Sequence, residues 1–135
     1  MRPLFADTSY YLGLLNPNDQ WHETVMRFTA SFDGAILTTA WVLTELANAM
    51  SRPDNRGVCV SFIEDLRADP RVTIVAPSQA LFDQGFQLYA SRLDKDWSLT
   101  DCISFVVMRR QGLTEALTGD RHFEQAGFTA LLAGE

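Results

Sequence analysis

Short apolar runs alternate with longer helix-like segments along this 135-residue chain, and no other feature constrains its fold as strongly. The predicted strands are residues 3–6, 35–39, 72–76, a stretch within 115–120, and 128–132. The segments between them carry apolar residues three and four positions apart, which is the spacing of a buried helix face. These predicted helices are 10–16, 19–31, 40–50, 57–68, 79–92, 99–111 and a short one from Arg121, with a turn-rich break at 51–57.

Strands and helices that alternate in this way form a parallel sheet with helices on both faces. The sequence therefore predicts an α/β protein, a three-layer α/β/α sandwich around a mostly parallel sheet of four to five strands. With 47% hydrophobic residues, the chain can form its own core, so we expect residues 1–135 to be a single domain. The segment 99–111 is so apolar that it should be the central helix.

The charge of the chain argues against a broadly basic nucleic-acid binder, because its net charge is −6 and phosphate contacts need positive charge. Ten of the eleven basic residues are nevertheless arginines, with Lys95 as the one lysine. Arginine favours bidentate phosphate contacts, so a basic rim around an acidic centre is compatible with the composition. Cys59 and Cys102 each stand alone in apolar stretches and suit buried thiols of a reducing cytosol. We expect a cytoplasmic protein with no signal peptide or membrane anchor.

Four acidic residues stand out by their position in the predicted fold. Asp7 and Asp120 each follow a strand, Asp101 opens the helix at 99–111, and Glu45 lies beside a core-facing residue of helix 40–50. The ligand crevice of an open α/β sheet lies outside the carboxyl ends of its strands, so all four can meet at one edge. Each acid also has a plain structural explanation. Asp7 and Asp120 fit helix N-caps, Asp101 fits a capping box with Ser98, and Glu45 fits a solvated helix position.

Carboxylates that meet at one site repel each other unless a cation neutralises them. Mg²⁺ or Mn²⁺ suits such an oxygen-rich site, and metal-assisted attack of water on a phosphodiester is a chemistry that it supports. Hydroxyl groups near the acids can orient the carboxylates, bind phosphate or hold water; they belong to Thr8, Ser9, Thr100 and Thr118.

The four acids stand in segments that resemble the motif blocks of the PIN domain, and most closely those of VapC-type toxin ribonucleases. In order these segments are "FADTSYYLGLLNPND", "TTAWVLTELANAM", "SLTDCISFVVMRR" and "ALTGDRHFEQAGF". The resemblance runs from about residue 3 to residue 132. It implies a metal-dependent endoribonuclease that uses Mg²⁺ or Mn²⁺ and acts as the toxin of a toxin–antitoxin pair. It further implies a homodimer and a cognate antitoxin whose C-terminal segment blocks the acidic groove.

Residue by residue, the resemblance places the four catalytic, metal-binding acids at Asp7, Glu45, Asp101 and Asp120. The hydroxyl that accompanies the first aspartate corresponds to Ser9 or Thr8, and that of the last block to Thr118.

Candidate RNA contacts are basic or aromatic residues near these blocks. We retain Arg52, Arg92, Arg121 and Trp97 from a wider basic set that includes Arg56, Lys95, Arg109 and Arg110. Trp21 and Trp41 fit helical core stripes better than a base-stacking role. His122, next but one to Asp120, invites a general-base role, but a metal-hydroxide mechanism requires no histidine, which favours a packed or surface position. His22 has no acidic neighbour from the blocks, which favours a structural or exposed position.

Two other functions remain open at this point. A phosphotransfer or phosphohydrolase domain also places aspartates after parallel strands, but it usually needs a lysine at a later strand end, and Lys95 lies in a predicted loop. A module that binds RNA or protein without cutting is the second alternative.

Overall fold

The structure is a computed structural model that describes residues 2–133. Within this range the chain forms five strands and seven helices. The strands are β1 (Leu4–Ala6), β2 (Ile36–Thr39), β3 (Val72–Val75), β4 (Glu115–Leu117) and β5 (Thr129–Ala130). The helices are α1 (Thr8–Leu15), α2 (His22–Ser31), α3 (Ala40–Ala49), α4 (Pro53–Ala68), α5 (Gln79–Ser91), α6 (Leu99–Gln111) and α7 (Arg121–Gln125).

All four pairings in the sheet are parallel, and the strand order is β3-β2-β1-β4-β5, which puts β1 in the centre. The chain moves from β1 through β2 to β3 on one side, then crosses to β4 and β5 on the other. Right-handed crossovers in opposite directions place their helices on opposite faces of the sheet. The packing agrees, because α1 contacts α2 and α3 while α5 contacts α6 and α6 contacts α7. The predicted three-layer sandwich with a parallel sheet is confirmed.

Helix α6 is the central helix that its sequence predicts. Seven of its residues are buried, from Asp101 to Met108. The ring of Phe105 contacts those of Trp97, Phe123 and Phe128. Gly112 ends the helix with a φ of 67°, a left-handed conformation that glycine adopts at little cost.

Most predicted boundaries lie within two residues of the observed ones, and two helices differ further. Helix α4 begins at Pro53 rather than at residue 57, because proline has the backbone angle of a first helical turn and lacks only an N–H that has no partner there. Helix α2 begins at His22 rather than at residue 19, since the Asp19 carboxylate accepts a hydrogen bond from the Trp21 backbone N–H and holds a turn. Strand β5 is shorter than predicted. Of the helices in residues 2–133, none has the length and apolarity needed to cross a membrane.

Candidate metal centre

The candidate site lies between β1 and its neighbour β4, the point at which the strand order reverses direction. Asp7 directly follows β1, and the turn Thr118–Asp120 follows β4. Crossovers leave these two strands toward opposite sides, so their carboxyl ends open a crevice, and α/β proteins bind ligands at this point.

Asp7 occupies the N-cap position of α1, but its side chain makes no capping hydrogen bond. Its Oδ2 instead accepts hydrogen bonds from Thr118 Oγ1 at 2.9 Å and Ser9 Oγ at 3.3 Å. The two hydroxyl oxygens are themselves 3.0 Å apart. Asp7 is only 5% exposed, and no salt bridge reaches it from residues 2–133. Helix capping therefore does not explain this carboxylate.

The pKa of Asp7 is raised from 3.8 to about 7. Burial is the largest cause, and repulsion from Asp101 is the next. Glu45 contributes further repulsion, while the hydrogen bond from Thr118 acts in the opposite direction. Two of the other three acids therefore act electrostatically on Asp7.

Glu45 is half-buried on α3, and its Oε1 accepts a short hydrogen bond from Thr8 Oγ1. Thr8 is the first residue of α1, directly after Asp7. The bond orients Glu45 beside the first aspartate, so the alternative of a fully solvated glutamate does not hold.

Asp101 combines both of the roles that its sequence context allows. It is the third residue of α6, its backbone N–H donates to Ser98 Oγ at 3.0 Å, and its Oδ2 accepts from the Ser98 N–H at 3.1 Å. The same Oδ2 lies 3.0 Å from His122 Nδ1. Asp101 is 8% exposed, and its pKa is raised, first by burial and also by repulsion from Asp120, against the hydrogen bonds of His122 and Ser98.

Asp120 is the N-cap of α7, and its Oδ1 accepts from the His122 N–H at 2.9 Å. Its own N–H donates to Thr118 Oγ1 at 3.0 Å. Thr118 is fully buried, and its hydroxyl also donates to Asp7. It therefore links the Asp7 side of the site to the side that contains Asp101 and Asp120. Thr100 takes no part in these hydrogen bonds.

His122 takes a packed position, one of the two that the sequence favours, and this position lies inside the site. Its Nδ1 is 3.0 Å from Asp101 Oδ2 and 3.4 Å from Asp120 Oδ1. One signal in the sequence points this way, since a side chain in the first turn of α7 lies beside the Asp120 cap. Its approach to Asp101 depends on how α6 packs against α7. His22 lies outside the site, and its Nδ1 contacts the Gly13 carbonyl oxygen at 2.7 Å.

Trp97 is not the base-stacking residue that we expected, and this prediction was wrong. The residue is 5% exposed, its Nε1 donates to Gln125 Oε1 at 3.0 Å, and its ring meets Phe105 edge-on. Burial of the ring against α6 leaves almost no face for an RNA base. Trp21 is half-buried and lies against Gly119, since a Cβ at Gly119 would come within 2.3 Å of the Trp21 ring.

The arginines proposed as RNA contacts are all on the surface. Arg92 forms a bidentate pair with Asp94 and lies over the Trp97 ring, 5.2 Å from its centroid. Arg52 is 3.8 Å from Asp54 and largely exposed. Arg121 is exposed beside Asp120. Lys95 pairs with Asp94 at 3.6 Å, away from any strand end, which disfavours the phosphotransfer alternative.

The donor set fits a divalent cation. Asp101, Asp120 and His122 each offer one ligand atom, and these atoms lie within 4.8 Å of one another. Asp7 and Glu45 add carboxylates whose repulsion a cation would relieve. Carboxylate and hydroxyl oxygens are the donors that Mg²⁺ and Mn²⁺ prefer.

The family model of the PIN domain matches residues 4–129 of the chain. This protein belongs to the PIN domain family. This chain is 29% identical over 125 residues to the 23S rRNA-specific endonuclease VapC20 of Mycobacterium tuberculosis. The match covers 93% of this chain and 95% of the relative.

Solved structures agree with this family membership. The crystal structure of M. tuberculosis VapC20, described as a sarcin-ricin loop cleaving toxin, superposes with a TM-score of 0.85 and 28% identity over 93% of this chain and 96% of that one. FitAcB from Neisseria gonorrhoeae matches with a TM-score of 0.65 and 21% identity over 94% of both chains, which is a likeness of fold.

Proposed function

We propose that this PIN domain is a Mg²⁺- or Mn²⁺-dependent endoribonuclease that hydrolyses RNA phosphodiester bonds in the cytoplasm as the toxin of a toxin–antitoxin pair. One observation supports this more than any other. Asp7 is a buried carboxylate that caps no helix and, within residues 2–133, pairs with no cation, while Asp101 and Glu45 both repel it. Burial of such a carboxylate is costly, and a bound divalent cation would compensate for that cost.

Asp7, Asp101, Asp120 and Glu45 would hold the metal in this proposal. A bound divalent cation supplies Lewis-acid activation of the attacking water and neutralises charge on the leaving oxygen. Thr118 and Ser9 orient the Asp7 carboxylate through its Oδ2, and Thr8 orients Glu45. Burial of Asp7 and Asp101 lowers the local dielectric constant, which strengthens their attraction for a cation.

The substrate class follows from the relative. M. tuberculosis VapC20 is a 23S rRNA-specific endonuclease, so a 23S rRNA stem-loop such as the sarcin-ricin loop is the first substrate to test here. Arg121, exposed beside Asp120, is the basic residue closest in sequence to the site acids and would contact a phosphate. Arg52 and Arg92 would extend this contact surface.

The proposed partners are a second copy of the chain and an antitoxin whose C-terminal segment enters the acidic groove. Helix α5 and the residues after it carry an exposed apolar stripe with successive spacings of four, three and four residues, formed by Phe82, Phe86, Tyr89 and Leu93. Two copies packed antiparallel about a twofold axis would bury this stripe against its own copy. Light scattering on the wild type and on Phe86→Lys tests this: the wild type should be a dimer and the variant a monomer.

The test of function is cleavage of a 23S rRNA stem-loop and of total RNA with Mn²⁺, with Mg²⁺ and with EDTA. We expect cleavage that needs the metal and that Asp101→Asn abolishes. Asp69→Asn is the matched control, because Asp69 is an acid paired with Arg71 beside β3 and should be dispensable. Full activity of Asp101→Asn contradicts the proposed mechanism. A wild-type protein that binds RNA but does not cut it supports the non-cleaving module instead.

A further inference from the structure

The Asp101 side of the site contains a nitrogen donor that the four-acid pattern does not include. The imidazole Nδ1 of His122 lies 3.0 Å from Asp101 Oδ2 and 3.4 Å from Asp120 Oδ1. The backbone explains why it is there, since the His122 N–H is already bound by the Asp120 carboxylate, which brings the ring back over the first turn of α7.

These distances suit a coordination sphere as well as a hydrogen bond. Neighbouring ligand atoms of an octahedral ion with bonds of about 2.1 Å lie roughly 3.0 Å apart. The two distances from His122 Nδ1, to Asp101 Oδ2 and to Asp120 Oδ1, are close to this value, and one ligand atom from each of the three residues lies within 4.8 Å of the others. A neutral ring with its proton on Nε2 would present the Nδ1 lone pair to such an ion.

The second carboxylate oxygen of Asp101 gives separate support. Asp101 is more than nine-tenths buried, and both hydrogen bonds to its carboxylate, from Ser98 and His122, reach Oδ2. Its Oδ1 accepts none from residues 2–133. This oxygen is therefore available to a bound cation.

We propose that His122 is a metal ligand, which together with Asp101 and Asp120 forms a nitrogen-containing subsite that favours Mn²⁺ over Mg²⁺. This inference rests on the proposed metal-dependent function and goes beyond its four acids. Imidazole binds transition metals in preference to Mg²⁺, which requires hard oxygen donors. The Asp7 side of the site, with only carboxylates and hydroxyls, has no such preference.

The test uses pulsed electron paramagnetic resonance of the wild-type protein with one equivalent of Mn²⁺. We expect the modulation of a directly coordinated ¹⁴N nucleus. His122→Asn is the informative variant, because its side-chain amide can still donate a hydrogen bond to Asp101 from about the position of Nδ1 but supplies no imidazole. We expect the ¹⁴N signal to disappear and the affinity for Mn²⁺, measured by calorimetry, to fall at least tenfold, with a smaller loss for Mg²⁺.

His22→Asn is the matched control, since His22 contacts the Gly13 carbonyl rather than an acid, and it should keep the signal. Bound Mn²⁺ without a ¹⁴N signal in the wild type overturns the inference, as does a signal that persists in His122→Asn. Unchanged Mn²⁺ affinity in His122→Asn assigns the histidine a hydrogen-bonding role only and also overturns it. The proposed function fails separately, by loss of metal-dependent RNA cleavage, which this spectroscopic measurement does not involve.

Discussion

The two sides of the site contain the same kind of side chain held in different ways. On one side, Asp101 and Asp120 receive hydrogen bonds from backbone N–H groups at the starts of α6 and α7, so both also stabilise local structure. On the other side, Asp7 stands at the N-cap position of α1 without a side-chain capping hydrogen bond, and its Oδ2 accepts from the hydroxyls of Thr118 and Ser9. Helix capping accounts for the presence of the first two acids, whereas we propose that a bound cation accounts for Asp7.

Of the variants that test this comparison, Asp7→Asn should have the largest effect. Cleavage should fall at least about a hundredfold, because loss of one metal-binding carboxylate removes several kcal/mol of transition-state stabilisation. Without metal at pH 8 the variant should be more stable than the wild type, since the buried charge is gone. Cleavage rates and thermal melts in EDTA measure the two effects. An active Asp7→Asn protein would show that the Asp7 side is structural.

The stability of the metal-free wild type should fall as the pH rises from about 4 to about 7. The pKa of Asp7 is raised in the folded protein, so within this window the folded state holds a proton that the unfolded state has lost, and folding is favoured most at the acidic end. The loss from this group is at most roughly 4 kcal/mol. Denaturant titrations across this range, with Asp7→Asn as the control without this component, measure it. Saturating Mn²⁺ should restore stability at pH 7.

Gly119→Ala tests the turn that connects the two sides. The new Cβ would lie 2.3 Å from the Trp21 ring, so the turn between Thr118 and Asp120 must move. We expect a loss of about 1–3 kcal/mol in unfolding free energy and reduced cleavage. Gly57→Ala is the matched control, since no atom lies within 4 Å of a Cβ there and α4 should gain up to about 1 kcal/mol. Equal stability of the two variants would contradict the close packing of Trp21.

Two substitutions of Asp101 separate capping from metal binding, with the smallest expected effect on stability. Asp101→Asn keeps an oxygen for the Ser98 N–H, whereas Asp101→Ala removes it. Both should abolish cleavage, but the alanine variant should be less stable than the asparagine variant by about 1 kcal/mol. Urea denaturation compares them. If the two are equally stable, the capping box contributes nothing measurable.

Much of this arrangement is legible in the sequence because it depends on neighbours along the chain. The alternation of strands and helices predicts the layered fold, and Asp7 and Asp120 follow β1 and β4 as expected. The Ser98–Asp101 capping box is found where its S-x-x-D pattern predicts it. The contacts of Trp97 and His122 could not be predicted, because each depends on a residue more than twenty positions away, Gln125 for the tryptophan and Asp101 for the histidine.

By itself, the sequence determined which residues end strands and begin helices, because hydrophobic periodicity and capping act over a few residues. Only the tertiary structure decided that β4 pairs with β1, so that Thr118 reaches Asp7 across 111 positions of the chain. It also decided that α6 packs on α7 and places His122 between two aspartates. The physical reason is that strand order and helix packing depend on burial of the whole core, and local sequence patterns do not encode them.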